Sequence, residues 1–133
     1  MVGQEIVYKT LEENNIDYDY FESPRDFSSE DDGSFWKKIN AERCKNLFLR
    51  NHKGNHHYLV ISKFYKEFRI KILEDYFKKG KISFASDRRL KKWIDTKPGA
   101  VSLFSLFNDE ENHSRVFVDK ELKDTEYVTF LPN

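Results

Sequence analysis

The order of apolar and polar positions divides the chain into short helical and extended stretches. Over residues 4–14, Ile6, Val7 and Leu11 fall on one side and Glu12 and Glu13 on the other. That spacing predicts a short amphipathic helix, with Asn14 and Asn15 as its C-cap residues. Ile16-Asp17-Tyr18-Asp19-Tyr20-Phe21 alternates with the two-residue period of a strand, and Ser23-Pro24 closes it. Residues 22–34 are polar and acidic and read as an exposed loop, in which Ser28-Ser29-Glu30-Asp31 could equally start a helical turn. Phe35 and Trp36 then return the chain to the core. In Cys44-Lys45-Asn46-Leu47-Phe48-Leu49-Arg50-Asn51 three apolar residues stand together, too few for a buried helix. A polar tract around Gly54 follows, and Tyr58-Leu59-Val60-Ile61 brings a second apolar run. The pair predicts a β-hairpin whose turn takes its positive φ from Gly54.

Further along, Leu73, Tyr76 and Phe77 have helical spacing, which predicts a helix near 69–79 stopped by Gly80. Lys81 to Ala85 reads as a short strand. Ser86 or Asp87 caps a helix to about Ile94, with Leu90, Trp93 and Ile94 inward, and Lys97-Pro98-Gly99 breaks it. Ala100 to Phe107 is a loop entering an apolar run, and residues 108–112 are a turn. Val116 to Val118 is a strand, Asp119 to Leu122 a turn or single helical coil, and Tyr127 to Phe130 a last strand. Interleaved strands and helices give an α/β or α+β class, with a mixed sheet in a single domain over 1–133.

Composition changes this picture in two ways. Twelve Phe and seven Tyr can carry much of the burial in a chain that is 35% charged. The net charge is zero, yet unevenly spread. Residues 1–35 hold ten acidic and two basic side chains, residues 36–97 six and eighteen, and residues 98–133 seven and three. A basic middle is what a polyanion-binding face would look like, although lysine-rich helix surfaces would give the same count. Cys44 is the only cysteine, so no internal disulfide exists, and a reducing cytoplasm is the natural setting. No apolar run reaches membrane-spanning length, and residues 1–5 lack a signal peptide's basic start.

Candidate chemistry is sparse. No P-loop, G-x-S-x-G elbow, H-E-x-x-H or dinucleotide fingerprint appears. His52, His56 and His57 fall at the hairpin turn, where a solvated turn is the expected reading and neighbouring strand histidines point to opposite faces. Cys44 has no placeable histidine partner and reads as a small buried hydrophobe. Lys45, at the head of the first strand, could hold an ammonium near an anionic or carbonyl ligand or simply project into solvent.

Several motifs together resemble the YbaK family: residues 44–51, Lys81 to Leu90, Lys97-Pro98-Gly99-Ala100-Val101-Ser102, Asn108-Asp109, residues 118–122 and the closing Phe130-Leu131-Pro132-Asn133. Within it, the match is to the free-standing prolyl-tRNA-synthetase-associated editing domains of the ProX and ProXp-ala type. The resemblance implies a mixed, largely antiparallel sheet or partial barrel flanked by helices. It implies hydrolysis of mischarged aminoacyl-tRNA in trans, alanyl-tRNA for proline above all, with no metal, nucleotide or other cofactor. Carried over, Lys45 is the active-site lysine. Asn46, Gly99, Ala100, Val101, Ser102 and Leu131 border the bound aminoacyl group. Apart from the resemblance, the basic middle offers Arg88, Arg89, Lys91 and Lys92 as the natural phosphate contacts for tRNA. The implied partners are the acceptor end of tRNA and prolyl-tRNA synthetase, for a monomeric cytoplasmic protein away from membranes. Three differences stand beside this. Leu103 occupies the place of a family proline and Leu131 that of a family histidine, and the family pattern carries a further strand and helix past the position of Asn133. A non-catalytic tRNA- or synthetase-binding module and an amino-acid sensor of the same fold are the competing readings.

Overall fold

The predicted hairpin is the centre of the sheet. The structure is a computed structural model that describes residues 3–21, 39, 41–67 and 69–132. In it β1 (Glu42–Asn51) pairs antiparallel with β2 (His57–Lys63), from Cys44 opposite Lys63 to Arg50 opposite His57. Gly54 takes φ +76° in the turn, as expected of a residue without Cβ. β3 (Ile82–Phe84) pairs antiparallel with the end of β1, β4 (Arg115–Val118) runs parallel to β2, and β5 (Val128–Thr129) runs parallel to Glu42 and Arg43. Among the described residues this makes a mixed, mostly antiparallel five-stranded sheet of order β3-β1-β2-β4, with β5 on β1. The sheet is not closed, and with its helices the fold is α+β.

The helices are α1 (Gln4–Glu13), α2 (Ile70–Phe77) and α3 (Asp87–Ile94), with 3₁₀ helices at Leu103–Asn108 and Lys120–Asp124. α3 starts where Ser86 accepts a hydrogen bond from the Arg89 amide at 3.3 Å, and carries Asp87 in its first turn and Lys91 and Lys92 in its last. α2 stops earlier than Gly80. Lys78 itself takes the left-handed conformation, φ +56°, and returns its N–H to Glu74. Central β2 is buried on both faces, which is why its sequence runs apolar without alternation. On one face Phe48, Leu59 and Ile61 pack against Leu90 and Ile94 of α3 and Leu122. On the other, Leu49, Tyr58, Val60 and Ile82 pack against Ile70, Leu73 and Phe77 of α2.

Three expectations change. Ile16 to Phe21 forms no strand: the chain reverses at Asn15, Ile16 returns its amide to Leu11, and Tyr18 stacks on Tyr8 at 5.4 Å. The alternation found no strand edge to join, and the segment lies against α1 instead. The apolar run after Gly99 coils into the first 3₁₀ helix because Ser102 caps it. The last strand shrinks to two residues. The loop expected at 22–34 and the return at Phe35 and Trp36 lie outside the described residues. No helix among the described residues is long and apolar enough to cross a membrane.

Candidate functional site

β1 has a gap along one edge. On the side away from β2 it is paired with β5 at Glu42 and Arg43 and with β3 from Leu49 onward, so no described strand joins residues 44–48 there. Glu42 donates its amide to Tyr127, and Phe48 accepts from the Ala85 amide at 3.0 Å, so even-numbered residues turn their peptide groups to this side. By the same two-residue period Asn46 directs its N–H and C=O into the gap. A cleft of about 190 Å³ opens there, lined by Asn46, Leu47, Phe48, Phe84, Ala85, Asp87, Leu90, Pro98 and Val101. Several waters' worth of space, at roughly 30 Å³ each, suits a small acyl group. Phe48, Ala85, Leu90 and Val101 wall it from the α3 face. Leu47 belongs to the α2 face, and Phe84 joins it there because it pairs with Leu49, directly opposite residues sharing a face.

Asn46 supplies the polar group. Its Oδ1 is buried and has no hydrogen-bond partner among the described residues. An unmade bond of that kind costs about 1–3 kcal/mol and calls for an explanation, a ligand donor being the natural one. A larger hollow of about 280 Å³ lies by Ile39, Ala41, Glu42, Thr125, Glu126 and Tyr127. Its charged lining residues are two carboxylates, Glu42 and Glu126, against the single Asp87 of the cleft beside β1, and none of the residues carried over from the resemblance lines it.

The predicted site residues are brought together only in part. Pro98 and Val101 bring the Gly99-led loop to the cleft opposite Asn46, Gly99 itself holding φ +86° where an L side chain is strained. Ala100 anchors that loop, its amide donating to Lys97 O at 3.0 Å and its carbonyl accepting from Thr96 at 3.3 Å. Ser102 is fully buried and serves the backbone instead. Its hydroxyl accepts from Phe104 N and donates to the Leu131 carbonyl at 2.6 Å, in a capping box with Ser105. The Leu131 side chain is exposed and does not line the cleft. Lys45 faces away from Asn46 by strand alternation, and its ammonium donates to the Lys66 carbonyl just after β2. It therefore shares the face of Leu47, about 7 Å along the strand.

Of the basic residues on α3, Arg88, Lys91 and Lys92 are exposed, Lys91 pairing with Asp95 and Lys92 lying 4.8 Å over the Trp93 ring. Arg89 departs from the expected phosphate contact. Its guanidinium folds back to Gly54 O and His57 Nε2, both at 3.2 Å. His57 is likewise no part of a solvated turn. It is 0% exposed, with Nδ1 2.8 Å from His113 Nε2, and His113 stacks on Trp93 at 3.6 Å. Arginine can only donate, so His57 Nε2 accepts, its Nδ1 carries the proton, and His113 Nε2 accepts in turn. Burial first, then His113, Arg89, Arg50 and Lys92, push the His57 pKa down to about 4. Its place on the face of β2 that carries Leu59 and Ile61, opposite Arg50, was the available signal. Burial also pushes the Cys44 thiol up, away from nucleophilic use. No cluster of three or more His, Cys, Asp or Glu occurs among the described residues.

The chain is similar to known proteins along most of its length. A family model described as an aminoacyl-tRNA editing domain matches residues 37–133. The prolyl-tRNA editing protein ProX of Acetoanaerobium sticklandii is 36% identical over 137 aligned residues, which span 100% of this chain and 81% of that protein.

Proposed function

The chain belongs to the aminoacyl-tRNA editing domain family, and from that premise we propose that it hydrolyses mischarged tRNA in trans, with alanine on proline tRNA as its substrate. The observation that carries this reading is the buried, unpartnered Asn46 Oδ1 at the cleft beside β1. The α-ammonium of an aminoacyl ester is a charged donor that completes it. The Asn46 amide, aimed into the same gap, faces the ester carbonyl and stabilises the oxyanion as it forms.

An aminoacyl ester is already activated, so a positioned water suffices. The water oxygen bonds to the carbonyl carbon, the ester C–O bond breaks, and the proton passes to the departing ribose oxygen. The terminal adenosine's neighbouring hydroxyl helps place that water, as the family resemblance implies, and no metal or cofactor takes part. Leu47, Phe48, Pro98 and Val101 wall the cleft, and the choice between a methyl side chain and the proline ring is assigned to the contacts they make with it. Lys45 is the fixed positive charge for the terminal phosphate. It reaches that role by exchanging the Lys66 carbonyl for substrate.

The test is a deacylation panel of alanyl-, seryl- and cysteinyl-tRNA beside correctly charged prolyl-tRNA. Selective release of alanine from proline tRNA is expected, and release from none of the mischarged tRNAs overturns the reading. The engagement of Lys45 with Lys66 favours a second reading, a tRNA- or prolyl-tRNA-synthetase-binding module without turnover. That reading predicts salt-sensitive tRNA binding and no amino-acid release.

A further inference from the structure

Phe84 has little use inside the fold. It ends β3, 62% exposed, on the wall of the cleft that holds Asn46, and among the described residues its ring stacks on no other. The neighbouring backbone is fixed by the Ala85 amide, which donates to Phe48 O at 3.0 Å, so the ring is presented from a held strand end. The chain around it is cationic: residues 78–97 carry eight basic and two acidic side chains, and Lys81, Arg88 and Lys97 among them are exposed. An exposed ring carried by a lysine- and arginine-rich stretch of chain, beside a cleft whose one charged lining residue is Asp87, is a combination by which proteins hold single-stranded nucleic acid. Cations track the phosphates while the ring takes a base on its π face.

We propose that Phe84 is the stacking platform for the unpaired terminal base of the tRNA, an inference that rests on the deacylase reading of the adjoining cleft. The placement accounts for how one substrate spans both faces of the sheet. Phe84 and Leu47 belong to the α2 face, as does Lys45, while Asn46 opens to the α3 face. A base on Phe84 sets its ribose at the gap in β1, passes the acyl group through to Asn46, and leaves its 5′ phosphate on the Lys45 side. Stacking makes no demand on base identity. Discrimination is left to the acyl pocket.

The experiment uses an acceptor-stem minihelix carrying 2-aminopurine as its 3′-terminal nucleotide, whose fluorescence is quenched by stacking. The whole chain should quench it, Phe84→Leu should abolish the quench, and Phe84→Tyr should restore it. With mischarged tRNA, Phe84→Leu should raise KM about tenfold, within the roughly 5- to 150-fold range that a lost base–ring stack gives, and change kcat less. An exposed ring is dispensable for folding, so Phe84→Leu should melt where the parent does. Equal quenching by parent and Phe84→Leu, or an unchanged KM, overturns the stacking role while leaving deacylation standing. Release of no amino acid by the parent overturns deacylation instead, and the minihelix signal still decides the stack.

Discussion

Among single residues, Asn46 and Lys45 are neighbours that β1 sends to opposite faces. Asn46 buries an acceptor with nothing to accept from among the described residues, which is a cost in the free protein. Asn46→Ala is therefore expected to leave the thermal midpoint unchanged or raise it, as calorimetry can check. A drop of several degrees would mean that the oxygen is satisfied within the fold. Lys45 differs, because its ammonium has the Lys66 carbonyl. Lys45→Met keeps the stem and removes the charge. It should lower kcat/KM for mischarged tRNA by about tenfold or more if the ammonium transfers to substrate. An unchanged kcat/KM would leave Lys45 a tether between β1 and the turn after β2.

At the scale of elements, α3 is tied to the hairpin through a chain of donors that works only while both imidazoles are neutral. Arg89 donates to His57, and His57 donates to His113. With the folded His57 pKa near 4 and the unfolded value near 6.5, the unfolded chain binds the extra proton first. The stability from this group is complete above about pH 6.5 and is lost as the pH falls toward 4, a change on the order of 3 kcal/mol. Urea denaturation at stepped pH should show that slope, and His57→Phe should flatten it. A slope unaltered by the substitution would place the titration elsewhere. This tie was invisible in the linear pattern, because the turn's polar residues hide that His57 already lies on the inward face of β2. The hairpin, α3 and its Ser86 cap were legible, since apolar period and cap chemistry are local. Ile16 to Phe21 failed for the converse reason: alternation says nothing about whether a strand edge waits nearby. Ser102 was legible as part of a motif but not as a cap; its two hydroxyl bonds show only in three dimensions. Ser102→Ala should cost about 1–2 kcal/mol, read from the shift in denaturation midpoint.

At the scale of the whole molecule, neutral net charge conceals a basic middle flanked by acidic ends. Arg88, Lys91 and Lys92 are exposed on α3, whereas Arg89 is committed to the hairpin. Replacing the first three by Gln should weaken tRNA binding and lower its slope against log salt by about 2 to 3. An unaltered slope would move the phosphate track off α3. The resemblance named both Asn46 and the Gly99 loop, and the structure sets Asn46, Pro98 and Val101 on one cleft. The exposure of Phe84 on the cleft wall was not legible, because a Phe in a short strand reads as core. Cleavage of the ester at the gap beside β1 is tested by rates. With alanyl-tRNA for proline as substrate, the parent chain should release alanine, and Asn46→Ala, which loses the Oδ1 contact to the α-ammonium and keeps the backbone N–H, should do so at least about tenfold more slowly in kcat/KM. Equal rates from the two proteins would contradict it.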